Sequence, residues 1–148
     1  GSPYYTPHLQ RPAAYPPSDG YQTPYDPLVD VARQIDGVRQ LKAQLPDGMA
    51  VIASGLSYLQ EYLPHVCQAL LREGWTDMVG LGRVVLSYPT ILYDAIRQGK
   101  VEKRYICRTF SDCTTAPRNG LPSGCFPLDE YYSGSPLAQD LKERKKAG

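Results

Sequence analysis

The sequence predicts a parallel α/β fold that forms part of something larger. Three observations carry this reading. Two short apolar runs, Met49-Ala50-Val51-Ile52 and Met78-Val79, each run into a glycine-bearing turn. Stretches with helical periodicity lie before, between and after them, so the order is helix, strand, helix, strand, helix. No third βα unit follows, and two parallel strands complete neither an open sheet nor a barrel, which needs ~250 residues.

The bulk numbers set the bounds. A chain of 148 residues is long enough for one ordinary domain with a sizeable core. A net charge of +1 and a pI near 7.8 leave no electrostatic footprint for nucleic acid. No apolar run approaches the ~18–20 residues of a membrane span, and no charged-then-apolar leader is present. The chain opens Gly1-Ser2 without an initiator Met, which reads as a missing or replaced beginning. Four cysteines without a regular framework spacing point to a reducing, cytoplasmic setting.

Residues 1–27 hold seven prolines, with Tyr4, Tyr5, Tyr15, Tyr21 and Tyr25 interleaved. Such a density forbids a helix or a central strand. A disordered Pro-rich arm is one reading. A long ordered loop packed by its tyrosines over a site is the other, and five tyrosines favour it. Residues 1–25 are therefore set apart as a loop.

Asp26-Pro27 opens the first helix, with Asp as N-cap and Pro at the first helical position. Leu28, Val31, Ala32, Ile35, Val38, Leu41 and Leu45 fall on one face, with Arg33, Asp36, Arg39, Gln40 and Lys42 on the other. Pro46-Asp47-Gly48 is a turn. Met49–Ser54 is apolar enough to predict a parallel strand buried on both faces. A first turn over 57–61 leads to a helix from Pro64 to Glu73, with Val66, Ala69 and Leu70 inward and Gly74 at its C′ position. The second strand spans 77–81, and a turn of helix follows over 83–86. A last helix runs from Pro89 through Gln98, with Ile91, Leu92, Ala95 and Ile96 as its apolar side and Gly99 as its stop. Residues 26–99 thus form the α/β part, and 100–148 read as an irregular tail carrying Cys107, Cys113 and Cys125.

Chemistry gathers in the two turns, Ser54-Gly55-Leu56 and Gly80-Leu81-Gly82-Arg83. Glycine there lets backbone N–H groups come close to a ligand, and a helix N-terminus behind it favours negative charge. Arg83 adds a fixed cation with forked donors suited to phosphate. Two such units in tandem predict a split phosphate cradle. A plain strand-ending turn at Gly55 and a surface ion pair at Arg83 fit the same residues equally well. His8 and His65 stand at no metal-ligand spacing with a carboxylate pair, so no metal site is expected.

Several stretches together resemble the NADH:flavin oxidoreductase (old yellow enzyme) family, in its 2,4-dienoyl-CoA reductase-like branch. They are Gly1-Ser2-Pro3-Tyr4-Tyr5, Pro16-Pro17-Ser18-Asp19-Gly20-Tyr21, Ser54-Gly55 and Gly80-Leu81-Gly82-Arg83. The resemblance covers residues 1–100 and extends toward Tyr132. It implies the C-terminal portion of a (β/α)8 TIM barrel, its last two to three βα units: the loop after strand six, then units seven and eight. It implies FMN as cofactor, its phosphate held by Gly55 after strand seven and by Gly82 and Arg83 after strand eight. Ser54 and Leu56 flank the first of these and lend backbone groups. The implied activity passes hydride from NAD(P)H through FMN to an activated C=C bond in a small-molecule substrate. The family's flavin-ring and proton-donating residues lie in earlier strands, so no catalytic residue is assigned and the isolated segment is expected to be inactive. Tyr4, Tyr5, His8 and Arg11 lie in the loop that would overhang the flavin and are the candidate substrate contacts. The remainder of the barrel is the implied partner, without nucleic acid or membrane, and homo-oligomerisation is left open.

The branch resembled carries C-x2-C-x3-C-x11-C, which ligates a [4Fe–4S] cluster. Cys113 and Cys125 keep the x11 spacing, but Thr109 takes the second position and Cys107 stands one place late. This register argues against a [4Fe–4S] cluster and leaves free thiols, a disulfide or an altered cluster open. Cys67 reads as a small core residue. The alternative function is a non-catalytic α/β module that captures a phosphate-bearing ligand or a partner chain.

Overall fold

The computed structural model describes residues 26–107, 110 and 112–147. Helix α1, Pro27–Gln44, begins where Asp26 caps it, its carboxylate accepting from the Leu28 N–H at 2.8 Å with proline at the first position. The buried stripe of α1 is narrower than its periodicity predicts. Val31 is buried and Ile35 and Val38 pack against the core, whereas Leu28, Ala32 and Leu41 are exposed. Only the i, i+4, i+7 row meets a covering layer.

Two short strands, β1 (Ile52–Ala53) and β2 (Met78–Val79), pair in parallel with Ile52 opposite Met78 and Ala53 opposite Val79. The strand expected over 49–54 is thus cut to two residues and covered on one face only. Ala53 is buried and Val79 packs against the core, but Ile52 is 57% and Met78 49% exposed. Helices lie behind one face of the sheet, and the other has no layer against it among the described residues. Threonine and aspartate knit the entry to the sheet. The Val51 carbonyl accepts from the Asp77 and Met78 N–H groups at 3.0 and 3.2 Å, and the Thr76 hydroxyl accepts from the Ala53 N–H at 3.0 Å. The Asp77 carboxylate takes the Val51 N–H and the Lys42 ammonium, both at 2.7 Å.

A 3-10 stretch, Ser57–Tyr62, leads into α2, Leu63–Arg72, which buries Leu63 and Leu70. The Gly74 N–H bonds the Leu71 carbonyl at 3.1 Å and the Trp75 N–H bonds Leu70 at 3.0 Å, a doubled closure of the last turn. After β2 come the single turn α3, Val84–Ser87, and α4, Ile91–Arg97. Ile91 is buried, but Leu92 (59%) and Ile96 (77%) are exposed, correcting the apolar side expected of α4. They form the row next to Ile91 and Ala95, turned ~100° around the axis and out of contact with the core. The Tyr88 hydroxyl donates to Asp94 at 2.6 Å and accepts the Glu102 N–H at 3.1 Å, anchoring the chain after α4.

The described residues of the tail after Gly99 form more helix than the sequence suggests. They contain α5 (Asp112–Arg118), α6 (Glu130–Ser133) and α7 (Pro136–Ala147) around a second small core of Ala116, Leu121, Phe126, Ala138 and Leu141. Proline inside α5 and the four-residue length of α6 leave no periodic run to read. No helix among the described residues is long and apolar enough to cross a membrane.

The Lys42 ammonium, and after it the Val51 N–H, hold the Asp77 carboxyl below the ordinary carboxylate range. Its contribution to stability is therefore present above the unfolded-state value and lost as pH falls through the lowered folded value. Thermal unfolding followed from neutral to acid pH should show Asp77→Asn losing less of its midpoint on acidification than the parent chain. Equal losses would show that the carboxylate does not hold the strand entry.

Candidate functional site

Parallel pairing sends both strands out of the sheet at the same end. The turn Ser54-Gly55-Leu56 leaves β1 there, and Gly80-Leu81-Gly82-Arg83 leaves β2 beside it. The Gly80 N–H donates to the Ala53 carbonyl at 2.7 Å. A Cβ at Gly80 would stand 3.3 Å from the Ile52 side chain and 3.6 Å from the Ser54 Cβ, so glycine lets the two turns run side by side.

The first turn is held from behind by α1. Gln34 donates its Nε2 to the Ser54 carbonyl at 2.6 Å. Gly55 has φ +78°, and a Cβ there would come 2.5 Å from that same amide nitrogen. Both the conformation and the space require glycine. Leu56 points into the core and is buried, so only its backbone faces the edge, and its carbonyl accepts from Leu59 at 3.0 Å to start the 3-10 stretch.

The second turn is open. Among the described residues, no atom outside its immediate neighbours lies within 4 Å of a Cβ position at Gly82. The Gly82 and Arg83 carbonyls accept from Val85 and Leu86, both at 3.1 Å, starting α3. Arg83 is half-buried, and its Nη1 is fully buried with no hydrogen-bond partner among the described residues. An ionised donor left in that state costs more than a neutral one, so the position favours an anion. The turn expected over 57–61 and the turn of helix expected over 83–86 are both short in the structure. They are a 3-10 stretch and a four-residue turn, and neither carries an appreciable macrodipole. Loop amides and the guanidinium remain as the source of positive potential.

In the C-terminal tail, burial raises the Cys113 thiol, the Arg83 guanidinium pulls it the other way, and Cys107 pushes it up again. Cys125 is raised chiefly by burial, with Cys107 and Cys113 adding to it. The described residues contain no group of three or more His, Cys, Asp or Glu side chains that could hold a metal ion. Cys67 sits half-buried on α2, its thiol pushed up to about 11 by burial. His65 is exposed on the same helix.

Of the residues singled out in the sequence, Ser54, Gly55, Leu56, Gly82 and Arg83 share this edge. Tyr4, Tyr5, His8 and Arg11 fall outside the described residues. Gln34 was not anticipated, although a signal was present. It stands at i+3 from Val31 and i−4 from Val38, a polar residue on the inward row of α1.

Chemically, the described groups at this edge offer N–H donors and one cation. Gly55→Ala should cost about 1–3 kcal/mol of stability in denaturant unfolding, since it forces a left-handed alanine into Gln34. Gly82→Ala should change it by no more than ~0.5 kcal/mol. Equal losses would show that the two turns are not built differently. Comparison of the chain with models of protein families, with curated proteins and with solved structures finds no match.

Proposed function

We propose that this chain is the C-terminal part of an FMN-dependent oxidoreductase and that it supplies the grip on the cofactor's phosphate. The observation that carries the reading is Arg83. Its Nη1 is buried without an acceptor among the described residues, and Arg83 follows the second of two glycine turns at one edge, which suits the phosphoryl end of a nucleotide. Gly82, with open space at its α-carbon, lets the phosphate approach the backbone, and Ser54, Gly55 and Leu56 present the facing turn.

When bound, FMN supplies the redox chemistry, accepting hydride from NAD(P)H and delivering it to an activated C=C bond. The residues of this chain orient the nucleotide by its phosphate. The exposed face formed by Ile52 and Met78 supports a larger fold, because parallel strands are normally covered on both faces. Further βα units of a (β/α)8 barrel would cover it and bring the flavin-ring and substrate contacts. A cytoplasmic setting is part of the same reading, and the unbridged thiols of Cys67, Cys113 and Cys125 support it.

A second reading is a non-catalytic module for phosphate-bearing ligands. The observation that favours it is the donor set itself, a cation and backbone amides among the described residues.

Titration of the chain with FMN and with riboflavin, followed by flavin fluorescence, separates these outcomes. FMN should bind more tightly than riboflavin. Arg83→Ala should weaken FMN by ten- to a hundredfold, the value of a hydrogen-bonded charge of about 1.5–3 kcal/mol, and leave riboflavin unchanged. Full FMN affinity in that variant would overturn the site. Equal affinity for FMN and for unrelated phosphate esters would favour the binding module.

A further inference from the structure

We infer that Gln34 is a positioning residue that aims the Gly55 N–H at the phosphoryl group, an inference that rests on the phosphate site proposed above. A trans peptide places its N–H opposite its C=O in one plane. The Ser54 carbonyl is drawn back toward α1 by the Gln34 Nε2 at 2.6 Å. The N–H of the same peptide, which belongs to Gly55, therefore points away from α1. No hydrogen bond from that N–H is seen among the described residues.

The other half of the Gln34 amide strengthens the case. Its Oε1 is buried and has no hydrogen-bond partner among the described residues. Turning the amide over would set two oxygens against each other at Ser54, so the orientation is fixed by chemistry. A buried acceptor without a donor destabilises a fold, and an apolar residue of similar shape would remove it. Gln34 therefore serves the turn at the expense of the core. The Gly55 backbone completes the fit, since any side chain there would displace the amide that holds the turn.

Two variants of the full chain test this, Gln34→Leu, which removes both polar atoms, and Gln34→Glu, which keeps the shape but cannot donate when ionised. Three quantities are read: the backbone amide order parameter at Gly55 from NMR relaxation, affinity for FMN and for riboflavin, and the thermal midpoint. The expected result is a lower order parameter at Gly55 and at least tenfold weaker FMN in both variants, with riboflavin unchanged and the Gln34→Leu midpoint equal or higher. An unchanged Gly55 order parameter, or FMN and riboflavin weakened in parallel with a lowered midpoint, would overturn it. A parent chain that binds FMN no better than riboflavin would remove the phosphate site itself. The Gly55 order parameter in Gln34→Leu would then still show whether the latch exists.

Discussion

Everything at the candidate site depends on the parallel register of two very short strands. Ile52 opposite Met78 and Ala53 opposite Val79 decide that both chains leave the sheet at one end. Two residues per strand supply little ladder, so the register is fixed from outside it. Thr76 and Asp77 bond back to Val51 and Ala53, and Lys42 on α1 closes the charge of Asp77. These bonds lie at the entry to the sheet, while the glycine turns lie at its exit. The stability of one end thus sets the geometry of the other.

Much of the α/β part was legible because its signals are local. Asp26-Pro27 marks the start of α1, and Gly74 the end of α2, since caps are read over a few residues. The glycine turns were found for the same reason. What periodicity could not give was the extent of cover. Leu41, Leu92 and Ile96 carry the right spacing to be buried, yet spacing reports a shared face and not what lies against it. The same limit applies to Ile52 and Met78, apolar residues in a strand whose second face is open. The tail was missed because α5 contains proline, α6 is four residues long and α7 is mostly polar, and its small core is built from residues far apart in sequence.

At the site, the sequence showed which residues could meet but not how they are held. Gln34 lies twenty positions before Ser54 and joins it only through the packing of α1 on the sheet. Arg83 was legible as a cation, and the burial of its Nη1 without a partner among the described residues was not, because burial depends on how the rest of the chain closes around it.

The most direct measurement is a map of backbone and arginine side-chain NMR shifts in the isotopically labelled chain as FMN is added. If the two turns and the guanidinium grip the phosphate, the largest changes fall on Gly55, Gly82 and the Arg83 Nη resonances, and they saturate together. Changes centred on the basic end at Arg144, Lys145 and Lys146, or spread without a focus, would contradict the account.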